Sequence, residues 1–189
     1  TTYTVGLNQP HTRLIDVEGR FPTDGKAAID LVLPVWTPGS YLVREYARHL
    51  QEFSAQADGK AASWERLDKR TFRVQTNGVP EVVAKWRVYA NDLTVRSSHL
   101  DDTHGYFNGA TLFLHQEAHR SRPHLVKVDA PRHWNQHCVL PREDGAFVAQ
   151  DYDTLIDSPF EVGPEPAHEF IAAGVPHQVV IWGEGNHDL

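Results

Sequence analysis

Short stretches of alternating apolar and polar residues run through most of the chain. Val82-Val83-Ala84-Lys85-Trp86-Arg87-Val88-Tyr89 alternates well in its second half, and Leu125-Val126-Lys127-Val128-Asp129 does the same. A two-residue period sends successive side chains to opposite faces of a strand. The pattern predicts strands over 3–7, 12–21, 27–33, 51–57, 71–76, 82–90, 110–115, 125–130, 146–150 and 177–182. Asp24-Gly25, Asp58-Gly59, Asn77-Gly78 and Asp144-Gly145 punctuate these runs as turns or hairpin tips, because Gly, Asn and Asp tolerate left-handed backbone. Many short strands at this spacing predict a mainly β fold, an antiparallel β-sandwich or saddle-like domain with one or two short helices.

Helical signals are few. Residues 40–50 predict two to three turns, with Ser40 as the cap and Leu42, Tyr46 and Leu50 four apart on one face. Residues 151–156 predict a single turn, stopped by Ser158-Pro159. No repeat or long linker interrupts the chain, so residues 1–189 are expected to form one unit.

Composition narrows the function classes. A 40% hydrophobic and 23% charged chain of 189 residues is globular. No apolar run approaches the roughly 20 residues of a membrane helix, and no cleavable signal pattern precedes the strand-like opening. The formal charge is −7 and the 18 Lys and Arg are scattered, which argues against a nucleic-acid partner. A single Cys138 excludes an internal disulfide and a cysteine-rich zinc site, and assigns no compartment.

Twelve histidines make metal chemistry the first to test. In His115-Gln116-Glu117-Ala118-His119 two His are four apart. A zinc-protease helix, however, needs Glu directly after the first His, and Glu117 is one position late, about 100° further round. Ser121-Arg122-Pro123 follows too soon for a long helix, so the segment is expected to be a solvated loop with exposed His. His133 and His137 flank Trp134 beside Cys138; imidazole and thiolate are competent ligands, but no further ligand at matching spacing is evident. His99, His104, His168, His177 and His187 form no constellation in the sequence. Ser40 lacks the second Gly of a nucleophile elbow, Cys138 has no base partner, and no phosphate-cradling loop is present. Asp101-Asp102 and Asp151, Asp153 and Asp157 lack the calcium-loop pattern, and Asp153 or Asp157 is expected to cap or buttress the short turn.

One segment is more specific. Leu33-Pro34-Val35-Trp36-Thr37-Pro38-Gly39-Ser40-Tyr41-Leu42-Val43-Arg44 puts a strand, a stiff turn and a helix start in a dozen residues. Two prolines fix φ, Trp36 is expected to supply a large buried face, and Gly39 permits a sharp bend. This segment resembles the tryptophan–x–proline–glycine–serine–tyrosine signature of the glycyl aminopeptidase family, family sixty-one of the metallopeptidases. Tyr106-Phe107-Asn108-Gly109-Ala110-Thr111-Leu112-Phe113 is similar to that family's aromatic–Asn–Gly strand entry. Asp151-Tyr152-Asp153-Thr154-Leu155-Ile156-Asp157-Ser158-Pro159 resembles the segment near the end of its N-terminal domain.

The resemblance implies a β-rich, non-catalytic N-terminal domain like that of aminopeptidase N-type enzymes. A thermolysin-like zinc domain would follow it, outside this sequence, and would carry the His-Glu-x-x-His helix. On that reading the chain holds no cofactor, no metal ligand and no catalytic residue of its own. Its partners are the parent's catalytic domain and, through it, peptide substrate. The resemblance also offers Asn108, Phe107 and Arg44 as substrate-proximal positions. Asn108 has an alternative as a shaper of the bend, and Arg44 as a partner of nearby carboxylates. Trp36, Pro38, Gly39, Ser40, Tyr41, Asp157, Ser158 and Pro159 are expected to be structural. An apolar docking face would be exposed on the isolated domain and would draw copies together. The rival reading is a free-standing β-sandwich that binds carbohydrate or protein through exposed Trp64, Trp86 or Trp134.

Overall fold

The computed structural model describes residues 1–37 and 39–185, which leaves Pro38 and His187 outside the described residues. The first half of the chain forms β1 (Thr2–Gly6), β2 (Leu14–Pro22), β3 (Ala28–Val32), β4 (Leu50–Ala57), β5 (Lys60–Ala61), β6 (Trp64–Arg66), β7 (Thr71–Gln75) and β8 (Glu81–Tyr89). The second half forms β9 (Ser98–Leu100), β10 (Gly105–Phe107), β11 (His124–Asp129), β12 (Asn135–His137), β13 (Arg142–Glu143), β14 (Ala146–Ala149), β15 (Phe160–Gly163), β16 (His168–Ala172) and β17 (Val175–Val179). The helices α1 (Gly109–Leu112) and α2 (Tyr152–Ile156) are each little more than one turn.

An eight-stranded sheet runs β13-β14-β11-β1-β2-β8-β4-β5, beside a four-stranded sheet β12-β15-β10-β9, a three-stranded sheet β3-β7-β6 and the hairpin β16-β17. Pairing is antiparallel except for β1 with β11, which run parallel. The central strands alternate as their sequence predicts. On β8, Val82, Ala84, Trp86 and Val88 are buried while Lys85 and Arg87 face out. There they meet Glu18 and Asp16 of the neighbouring β2 at 3.1 and 2.7 Å. The smaller sheets cover the inner face. Phe53 of β4 stacks on Phe72 of β7 at 4.3 Å, and Phe147 of β14 meets Phe160 of β15 edge-on at 5.1 Å. One continuous core results, extending from Tyr3 to Val162.

All four predicted turns have left-handed backbone at both residues, for example φ 52° at Asp24 and 73° at Gly25. Two predicted elements differ. Residues 110–115 are not a strand: α1 opens the segment, and only His115 makes a bridge, to Val32. Three buried side chains hold its carbonyls instead. Trp86 Nε1 donates to Leu112 (2.9 Å), Tyr152 Oη to Phe113 (2.6 Å) and Tyr3 Oη to Leu114 (2.7 Å). With those acceptors satisfied, no ladder is needed. Residues 40–50 form no two-turn helix either; only a 3₁₀ turn at Tyr46–His49 is present, since Ser40 is used elsewhere. No helix among the described residues is long and apolar enough to cross a membrane.

Candidate functional site

The tryptophan-containing loop closes on itself. Trp36 Nε1 donates to the Ser40 carbonyl (2.7 Å), Ser40 Oγ donates to the Leu42 carbonyl (2.9 Å), and Arg44 Nε donates to Ser40 Oγ (3.2 Å). The Arg44 amide returns to Val35 O at 2.6 Å. Gly39 sits at φ +83°, where a side chain would be strained. Ser40 is therefore a loop brace, not a helix cap. The expected burial of Trp36 does not occur: its ring is 49% exposed because its N–H reaches along the loop instead of into the core. Tyr41, Leu42 and Val43 project outward, Tyr41 almost entirely.

This loop contributes to two clefts. The first, about 610 Å³, joins Trp36 to Asp157 and Ser158, with Arg120 and Asp153 on its wall. The first and third sequence motifs thus meet in space. Asp151 is the N-cap of α2, its carboxylate accepting from Thr154 N at 2.7 Å, and Asp157 is its C-cap through its backbone N–H. Those hydrogen bonds hold the Asp151 carboxyl below its usual range. Asp153 pairs outward with Arg120 at 2.6 Å, and Ser158 Oγ donates to Thr154 O at the helix end.

The second cleft, about 490 Å³, joins Arg44, Tyr46 and Arg48 to Arg96, Ser98 and Thr111. Thr111 belongs to α1, whose N-cap is Asn108: the Asn108 carboxamide oxygen accepts from Ala110 N at 3.0 Å. The bend-shaping role of Asn108 is therefore present in the structure. Phe107 lies fully buried, stacked on Phe160 at 4.7 Å. It supports the loop from beneath and offers no surface to a ligand. A larger cleft, about 900 Å³, lies between β15 and the β16–β17 hairpin and takes in only Pro159 of the signature positions.

The histidines are not the exposed side chains the sequence suggested. His115 and His119 are both buried. His119 is clamped between Asp24 Oδ2 (2.7 Å) and Gln116 Nε2 (3.1 Å), while His115 stacks on Tyr152, its Nε2 3.6 Å from the Glu117 carboxylate. The HQEAH segment forms only a 3₁₀ turn, Glu117–His119, so its two rings do not share a helix face. The donor set of a catalytic zinc is not assembled there. Near β12, His137 Nε2 meets the Glu165 carbonyl at 3.0 Å, and burial pushes the Cys138 thiol up to about 11, which keeps it protonated.

A grouping that the sequence did not reveal brings His99, Asp101 and His104 together on the second sheet. Asp101 is already occupied as a turn residue, accepting from Thr103 N (2.9 Å) and from His99 Nε2 (3.1 Å). His104 is buried, with Trp182 stacked on it at 4.0 Å, and burial lowers its pKa to about 4. Glu161, 3.9 Å from His104, is pushed up to about 7 by burial and by Glu165. The tryptophan platform of the binding-module reading is largely absent. Trp86 and Trp134 are buried, and Trp64, 42% exposed, packs against Phe53 at 4.9 Å.

The Peptidase M61 N-terminal domain family model matches residues 2–164. No curated protein matches the chain by sequence. Among solved structures, the chain is similar to an aminopeptidase N family protein from Idiomarina loihiensis, with 31% identity and a TM-score of 0.93. That match covers 99% of this chain and 33% of the other, so the chain spans about a third of the relative's length. An M1 zinc metallopeptidase from Deinococcus radiodurans shares the fold at TM-score 0.54 and 14% identity, covering 95% of this chain and 45% of that one. A mutant two-domain M1 zinc metallopeptidase bound to L-arginine is similar at TM-score 0.52 and 12% identity, covering 94% and 45%.

Proposed function

The chain belongs to the peptidase M61 N-terminal domain family, and from that premise we propose that it is the non-catalytic N-terminal domain of a zinc-dependent aminopeptidase. In this reading it packs on a catalytic domain, which holds the zinc, and walls one side of the cleft that admits free peptide N-termini. The observation that carries it is the match to nearly all of this chain but only 33% of the Idiomarina protein. A relative with the same fold embeds it in a much longer polypeptide. A supporting role is favoured by the HQEAH histidines, of which His119 is engaged by Asp24 and His115 is stacked on Tyr152.

The exposed Tyr41 and Leu42 are the contact surface for the catalytic domain; left uncovered, such a patch draws copies of the domain together. Arg44 and Asn108 lie next to the substrate path, Asn108 acting through the shape of the bend it caps. The test is an activity assay on the 189-residue chain supplied with zinc. No release of product from glycyl or alanyl anilides is expected, and measurable turnover would overturn the reading. A protein that carries this chain followed by a His-Glu-x-x-His segment should release product under the same conditions.

A further inference from the structure

The guanidinium groups of this protein fall into two populations. Arg20, Arg73, Arg87, Arg120 and Arg122 each hold a carboxylate within 3.1 Å. The other arginines hold none among the described residues, and three of these, Arg44, Arg48 and Arg96, line the same 490 Å³ cleft. Their visible bonds are to neutral groups: Arg44 Nε to Ser40 Oγ, and Arg48 Nε to His49 Nε2 at 2.8 Å. Two acidic residues also line the cleft. Glu45 is drawn away by Lys69 Nζ at 3.1 Å, and Asp92 pairs with none of the three arginines. In a chain of net charge −7, three guanidiniums against two carboxylates make this cleft a local excess of positive charge.

We propose that the cleft is a carboxylate-binding site, in which Arg44, Arg48 and Arg96 receive the terminal carboxylate of a short peptide. Planar guanidinium forks match a carboxylate bidentately. The floor is polar and closed, with Ser98 Oγ and Thr111 Oγ1 buried 2.5 Å apart. The rim is apolar: Val43 lines the cleft and Val95 adjoins it, both largely exposed and placed to contact side chains of a peptide. The peptide part of this assignment rests on the function proposed above; the carboxylate part rests on the arginines alone.

The probe is N-acetyl-trialanine as the free acid and as its C-terminal amide, titrated into the 189-residue chain at low ionic strength by NMR. Blocking the amine separates this question from recognition of a free N-terminus. The acid should bind about tenfold or more tighter than the amide, and Arg96→Gln and Arg48→Gln should each remove most of that difference. Arg96 is exposed, so its variant reports even if a change at Arg44 disturbs the loop. Equal binding of acid and amide, or an unchanged ratio in Arg96→Gln, overturns the proposal. Displacement of the peptide by an equal concentration of inorganic phosphate overturns its carboxylate selectivity. Turnover by the isolated chain would instead defeat the functional reading and leave this result standing.

Discussion

At the scale of single residues, the segment after Asn108 shows how side chains replace a strand's hydrogen bonds. Tyr152 is fully buried, and its hydroxyl donates to the Phe113 carbonyl at 2.6 Å. Tyr152→Phe keeps the ring stack on His115 and leaves that carbonyl unpaired, a loss of about 1–3 kcal/mol. Tyr89→Phe, at a partly exposed ring with no such bond, should stay within about 0.5 kcal/mol. Urea unfolding of the two variants checks this, and equal midpoints would show that the buried hydroxyl is not holding the segment. The candidate site was partly legible at this scale. Trp36, Ser40, Arg44, Asn108 and Asp157 stand out as residue types in a motif; the structure puts Trp36 and Asp157 in one cleft and Arg44 in another, while Ser40 and Asn108 brace the loops beside them. Arg48 and Arg96 gave no signal, because the absence of a carboxylate near a guanidinium is a property of three dimensions. The burial of His115 and His119 was hidden for a related reason: His119 depends on Asp24, which is remote in sequence.

At the scale of elements, the legible parts were those with local causes. The four Asp-Gly and Asn-Gly tips need left-handed backbone, and the alternation of β2 and β8 needs only a period of two. Short edge strands such as β9 and β12, three residues each, are too short for a period to register and owe their pairing to neighbours. The 40–50 segment was misread because its apolar spacing suits a helix, while Ser40 and Trp36 form a loop among themselves. α2 was located correctly, and Asp157 is its C-cap through its backbone N–H, but the N-cap was missed: Asp151 supplies the Thr154 N–H with a carboxylate acceptor. Asp151→Ala should cost about 1 kcal/mol, and Asp157→Ala less than about 0.5 kcal/mol. Thermal midpoints at pH 7 decide the matter; a larger drop for Asp157→Ala would reverse the assignment.

At the scale of the whole molecule, burying histidines makes the fold sensitive to acid. His104 and His124 are lowered to about 4 by burial, and His115 is lowered for the same reason. In the unfolded chain each would titrate near 6.5. The folded state therefore keeps them neutral, and their contribution is complete above 6.5 and lost as pH falls towards 4. Glu161 works in the opposite sense. Raised to about 7, it favours the fold when protonated, fully below about 4.5, and that contribution is gone by pH 7. Between about 4.5 and 6.5 the unfolded chain thus takes up more protons than the fold, since three histidines oppose one glutamate. His104 and His124 against Glu161 leave a net difference of about one proton, to which His115 adds in the same direction, so stability should fall by roughly 1–2 kcal/mol per pH unit on acidification through this window. Urea midpoints measured at pH 7, 6 and 5 should decline steadily, and His124→Gln should flatten the slope. A profile level from pH 7 to 5 would mean that the buried rings carry their protons within the fold. The core that joins the three larger sheets would then tolerate charge, and the packing of His115 and His124 around Tyr152 would need another explanation.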